Sequence, residues 1–271
     1  ILLHRANDDR HAARLEAGIA LARRHDAHLD ILYIATPVSM PAEVTGRAAS
    51  YAYLAEATAI AHEKADEIRA EVAGLCAGIP HSWTVADGDH VEVLARHAAY
   101  ADLAIVSQSH PATLEDRVRL HLPDRLPMVS PCPTLVVPAK PRTRTVATDI
   151  VVAWKNMRET ALAVRGAMAM LEGARRVTVL TIEDPDTPTT DGADILRYLG
   201  HHGIRAEHRR NLADGASSED AGEIMLAVAR EIGADGLVMG CYGHSRLREL
   251  VLGGATRHVL GNMDLPVLMA H

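Results

Sequence analysis

Short apolar runs alternate with amphipathic stretches along the chain, and the alternation occurs twice. Ile1-Leu2-Leu3-His4 reads as a buried strand, followed by the polar turn Ala6-Asn7-Asp8-Asp9. An amphipathic helix with Leu15, Ile19 and Ala22 on one face comes next, then a strand over 29–34 that ends near Pro37. The same order restarts at Ile150. A strand ends at Ala153, Lys155-Asn156-Met157 turns, a helix carries Leu162, Val164, Met168 and Leu171, and a strand over 177–182 ends before Pro185. Ile1 and Ile150 set the offset between the two copies at 149.

Later blocks match at a smaller offset. The run 101–106 parallels 234–239, and 133–137 parallels 266–270, so both give an offset of 133. The first copy therefore holds 16 extra residues (149 against 133), which fall in a long helical stretch over 48–75. The apolar positions around Tyr51, Tyr53 and Leu54 in that stretch are candidates for an extended interface. Pro138, Pro141, Lys140, Arg142 and Arg144 mark a linker, so the expected domains are 1–140 and 148–271.

Each half reads β-α-β-α-β-α-β-α-β. Runs of four to six apolar residues between helices imply a five-stranded parallel sheet with helices on both faces. The expected fold class is α/β, two tandem doubly wound, Rossmann-like domains. Ligands of such sheets bind beyond the C-terminal strand ends near a topological switch point. In the second half that means the turns after Ala153, Ile182 and Met239.

Composition narrows the function. With 48% hydrophobic residues, 3% aromatic and no Phe, the core must be built from Leu, Val, Ile, Ala and Met. A net charge of −7 argues against a general nucleic-acid binder. No apolar run approaches the roughly 18 to 20 residues that cross a bilayer. Cys76, Cys132 and Cys241 are sparse and unpatterned, which suits a reducing, cytoplasmic setting without disulfides or zinc. The chain begins at Ile1 inside an apolar run, so the true N-terminus is expected upstream and a removed targeting segment stays open. The 16 His are scattered without a ligand pattern such as HExxH, and no metal is expected. Walker and nucleophile-elbow motifs are absent, and no residue reads as catalytic.

The most informative segment is 240–256. Gly240 and Gly243 allow a sharp turn and a close backbone approach to a ligand. Gly253-Gly254 precede a helix from Ala255, whose free N–H groups and dipole favour an anion. A polyphosphate fits between the two glycine clusters, with Thr256 as a hydroxyl donor or as the helix cap. The bland alternative is that the glycines only serve tight turns. Cys241 on the same loop is either a low-pKa thiol or a buried inert one.

The spacing Gly240-x2-Gly243-x9-Gly253 resembles the signature of the universal stress protein family, and the repeat extends the resemblance to the tandem two-domain bacterial type. The resemblance implies ATP, or another adenine nucleotide, with magnesium. Its phosphates would lie on Gly240, Gly243, His244, Gly253, Gly254 and Thr256, and its adenine against Ile182. Lys155 (or Asn156, one residue on) stands where the family has an Asp, and Gly254 where it has Ser or Thr. Lys155 is instead a candidate phosphate partner. In the first half the glycine positions fall on Ser107, His110, Leu120 and His121, and Thr256 falls on Pro123, so that half is expected to be structural or regulatory.

Three readings stay open. The first is a nucleotide-responsive, non-catalytic stress protein with at most slow ATP hydrolysis. The second is a nucleotide-free docking module, pairing 135–137 with 268–270 within the chain or forming a homodimer. The third is an enzyme acting on a small anionic metabolite.

Overall fold

The computed structural model describes residues 1–6, 8, 10–35, 47–109, 122–183, 192–212, 218–241 and 253–271. The chain forms two compact units, Ile1–Cys132 and Pro133–His271.

In the first unit the elements run β1 (Leu2–Arg5), α1 (His11–His25), β2 (Leu29–Ile34), α2 (Arg47–Leu75), β3 (His81–Ala86), α3 (His90–Ala98), β4 (Ala104–Ser107) and α4 (Leu122–Val129). The strands lie in the order β3-β2-β1-β4, all parallel. Because β1 pairs with β2 on one side and β4 on the other, the chain reverses its winding there, and the switch point lies between β1 and β4. Leu3, Ile31, Leu32 and Ile105 are almost fully buried. Local signals fix the helix ends. Asp89 caps α3 by accepting from Val91 N at 3.0 Å and Glu92 N at 3.1 Å. Asp26 closes α1 in the left-handed region at φ 48°, its N–H donating to Ala22 O. The long helix expected over 48–75 is α2.

The second unit begins with β5 (Thr134–Val137). It continues through β6 (Asp149–Ala153), α5 (Arg158–Gly166), α6 (Met168–Glu172), β7 (Arg176–Glu183), α7 (Ala193–His201) and β8 (Ala206–Leu212). It ends with α8 (Ser218–Glu231), β9 (Gly236–Gly240), α9 (Gly254–Asn262) and β10 (Val267–Ala270). Five strands are parallel in the order β10-β9-β6-β7-β8. A sixth, β5, is added antiparallel beside β10, with Leu135 opposite Leu268 and Val136 opposite Val267. Thus β5, the fifth strand of the first sequence repeat, belongs to the second compact unit. The switch point lies between β6 and β9. Asp235, 3% exposed, anchors the opposite end of these strands: its Oδ1 accepts from Thr148 N and Asp149 N, both at 2.7 Å.

Candidate functional site

The C-terminal ends of β9, β6 and β7 form one edge of the second unit. Register places Ala153 opposite Met239 on one side and Leu180 on the other, and Trp154 N continues the ladder to Leu180 O at 2.8 Å. Gly240, the exposed Lys155 and the half-buried Ile182 therefore end three adjacent strands at this edge. Helix α9 starts at the same edge, because β10, which follows it, begins at the opposite end. Gly243 and His244 lie outside the described residues.

The two described glycines of the motif have different physical reasons. A Cβ on Gly240 would sit 2.5 Å from Thr160 N and 2.7 Å from Glu159 C, so β9 needs a glycine where the first turn of α5 crosses it. That close approach is to the protein's own helix. Gly253 is the N-cap of α9 with φ −58° and ψ 144°, values open to any residue. A Cβ there would meet nothing within 4 Å, and the residue is exposed. Neither backbone strain nor packing against the described residues calls for this glycine.

Helix α9 offers its first-turn N–H groups without a side-chain cap and without an acidic residue in the first turn. Gly254 is its first residue and Thr256 its third, 3% exposed; the cap position belongs to Gly253, not Thr256. Gly222 sets where α9 begins: a Cβ there would lie 2.8 Å from Ala255 O, so α8 can touch the first turn of α9 only with a glycine. Gly222 carries no signal in the sequence, because the partner that requires it, Ala255, belongs to a different helix beyond β9.

Cys241 is the buried thiol of the two alternatives. It is fully buried, its Sγ donates to Ala270 O at 3.3 Å, and burial, reinforced by Glu159, pushes its pKa strongly up. It is therefore no activated nucleophile. Among the described residues no group of three or more His, Cys, Asp or Glu could hold a metal ion. No helix among them is long and apolar enough to cross a membrane.

In the first unit, Ser107 stands in place of Gly240, and its hydroxyl accepts from the buried Arg14 Nη1 at 2.7 Å. Pro123 is buried near the start of α4. His110, Leu120 and His121 lie outside the described residues. A cavity of about 370 Å3 opens elsewhere in this unit, beside Ile31, Val72, His81 and Trp83.

A doubly wound sheet whose switch point faces an uncapped helix start defines the second unit as a Rossmann-like α/β domain. Comparison with known proteins names the family. Residues 147–271 match the family model described as "Universal stress protein family". No curated protein matches the chain. A universal stress protein from Archaeoglobus fulgidus DSM 4304 shares the fold, with a TM-score of 0.76 at 16% identity over 99% of this chain and 94% of that one. A protein of unknown function from Pseudomonas aeruginosa PAO1 matches with a TM-score of 0.57 at 16% identity, over 98% of this chain and 90% of that one. Residues 147–271 thus match the universal stress protein family, and the whole length of the chain is similar in fold to the archaeal protein.

Proposed function

We propose that the second unit binds an adenine nucleotide, ATP with magnesium in the first instance, and that the protein acts as a nucleotide-responsive stress protein. The observation that carries this reading is Gly253, an exposed glycine at a helix start that neither the backbone nor the described packing demands. A phosphate needs that space, because a side chain at Gly253 would stand between it and the amides of α9. When bound, the nucleotide brings a polyanion to the positive end of α9. Gly253 and Gly254 would hold phosphate through backbone amides, Lys155 would supply charge, and Ile182 an apolar wall for the base. Gly240 serves the α5 contact first, and Thr256 contributes mainly by packing the start of α9. With Lys155 in place of the family's Asp, the nucleotide loses an acceptor, and affinity shifts toward the phosphates.

The test is calorimetric titration of the full chain with ATP and magnesium, beside Gly253→Val. Valine suits the φ and ψ of Gly253 and meets nothing in the described protein, so stability is expected to be unchanged. Micromolar binding to the parent protein, weakened at least 100-fold in Gly253→Val, is the expected result. Absence of binding to the parent protein, or equal binding to both, overturns the reading in favour of a docking module. In that case the outer edge of β10 is already taken by β5, so a second copy would have to dock elsewhere.

A further inference from the structure

The switch point of the first unit differs in chemistry from that of the second. Where the second unit has Trp154, the buried Ala163 and Gly240, the two offsets of the repeat place Arg5, Arg14 and Ser107 in the first. Arg5 ends β1, Ser107 ends β4, and Arg14 reaches in from the first turns of α1, so two guanidinium groups converge on the crevice between the C-terminal ends of β1 and β4. Arg14 is 1% exposed, and its Nη2 donates to Asp8 Oδ2 at 2.9 Å. A third arginine, Arg10, lies at the rim and donates from Nη1 to Gln108 O at 2.7 Å.

Arg5 is the anomaly. It is 3% exposed, yet among the described residues no carboxylate pairs with it. Its Nη1 donates to the neighbouring Ala6 O, and its Nε is buried without an acceptor. Burial, and then the nearby Arg14, hold its pKa below the ordinary guanidinium value, while Asp8, Glu71 and Tyr33 act the other way. A guanidinium stays protonated even so, and a buried cation without a counter-ion is costly. Asp8 already serves Arg14 through Oδ2 and Arg10 N through Oδ1, the latter at 2.9 Å. What the described residues do not supply to Arg5 is an anion with several acceptor oxygens, and phosphate matches a guanidinium fork in both geometry and charge.

We propose that the first unit binds a phosphate group, free or carried by a small phosphomonoester, on Arg5 and Arg14 between the C-terminal ends of β1 and β4. The half without the glycine motif thus holds an anion by side-chain guanidinium groups rather than by backbone amides. The two halves of the chain would answer to different concentrations of different anions.

Trp83 supplies the readout. It stacks on Tyr33 at 5.5 Å and 17°, and Tyr33 is the register partner of Arg5. Trp154 is the other tryptophan, so the full chain carrying Trp154→Phe keeps one indole, in the first unit. Gly253→Val in the same chain removes the nucleotide reading of the second unit from the signal. Inorganic phosphate and AMP are titrated separately in phosphate-free buffer, with Trp83 emission and Tm both recorded. The expected result is a saturable emission change and a rise in Tm with phosphate. Arg5→Met should weaken binding at least tenfold and abolish the Tm rise, while its Tm in phosphate-free buffer stays at or above that of the parent chain. Arg5→Lys, which keeps the charge and loses the fork, should bind with intermediate strength. AMP binding at least tenfold tighter than phosphate identifies a phosphomonoester; equal or weaker AMP binding identifies free phosphate. No response of Trp83 or Tm to either anion overturns the proposal. So does unchanged binding in Arg5→Met, or an equal loss of Tm in Arg5→Met with and without phosphate.

Discussion

Replacing Gly240 with alanine tests the contact that separates the two described glycines of the motif. The new methyl carbon would stand 2.5 Å from Thr160 N, 2.7 Å from Glu159 C and 2.9 Å from Glu159 Cβ. Ordinary carbon contacts lie near 3.5–4.0 Å, so the helix and the strand must separate by about 1 Å. The obstacle includes main-chain atoms, which cannot rotate aside. Nor can α5 easily retreat, since Thr160, Ala163 and Val164 are buried at 5%, 0% and 1% exposure. Overpacking of this kind costs about 1–3 kcal/mol. Alanine recovers about 0.4–1 kcal/mol by restricting the unfolded chain, leaving a net loss of about 1–2 kcal/mol. At about 2–4 °C per kcal/mol for a unit of this size, Tm falls by about 2–8 °C. Gly253→Ala is the control: with nothing within 4 Å and φ −58°, it should change stability by less than about 0.5 kcal/mol. Urea unfolding followed at Trp154 reads the second unit, in a Trp83→Tyr chain that keeps an aromatic ring against Tyr33. If Gly240→Ala loses no more than Gly253→Ala, the assignment of Gly240 to helix packing is wrong.

Asp235→Ala removes the shared acceptor of Thr148 N and Asp149 N, and should cost about 2–4 kcal/mol in urea unfolding of the second unit; Asp235→Asn, which retains an oxygen, should cost less than half as much. Burial, with help from Arg24, lowers the pKa of His25, whose Nε2 is buried without an acceptor. The unfolded chain therefore takes up a proton more readily than the folded one, and the contribution of His25 is present above its unfolded pKa, near 6.5, and lost as pH falls below it. The side chain is only partly buried, so less than about 1 kcal/mol is expected between pH 7 and pH 5. Urea midpoints at the two pH values should converge in His25→Gln relative to the parent chain.

The strands were legible because apolar runs of four to six residues between helices have few other uses, and the repeat checked each run against its copy. The site was legible only in part. The spacing of Gly240 and Gly253 pointed to the edge of the sheet where β9 ends and α9 begins, but the reason for Gly240 lies at Glu159 and Thr160 in α5, with five other elements between that helix and β9 in the chain. A contact of that range leaves no local pattern. Arg5 and Arg14 were hidden for a related cause. Arginine beside a polar turn reads as solvated, and nothing in the order of residues says that the folded unit will close over it. Aligning the halves did set Arg5 against Trp154, and a charge replacing an aromatic at a strand end was the available signal. The pairing of 135–137 with 268–270 was one of the open readings of the sequence, and β5 does lie beside β10 with Leu135 opposite Leu268; what required the structure is that β5 falls within the second compact unit.

The pairing of β5 with β10 also has a consequence for biosynthesis. Val137 closes β5, whereas Ala270, at the end of its partner strand, is the last residue but one of the chain. At about 5–20 residues per second the ribosome needs roughly 7–27 s to pass from the first to the second. Throughout that interval, the edge of Leu135 and Val136 that β10 will cover stands open while β6 to β9 are still being made. The second unit cannot complete its sheet until β10 has cleared the exit tunnel, so a nascent chain stalled in α9 presents an uncovered strand to chaperones and to neighbouring chains.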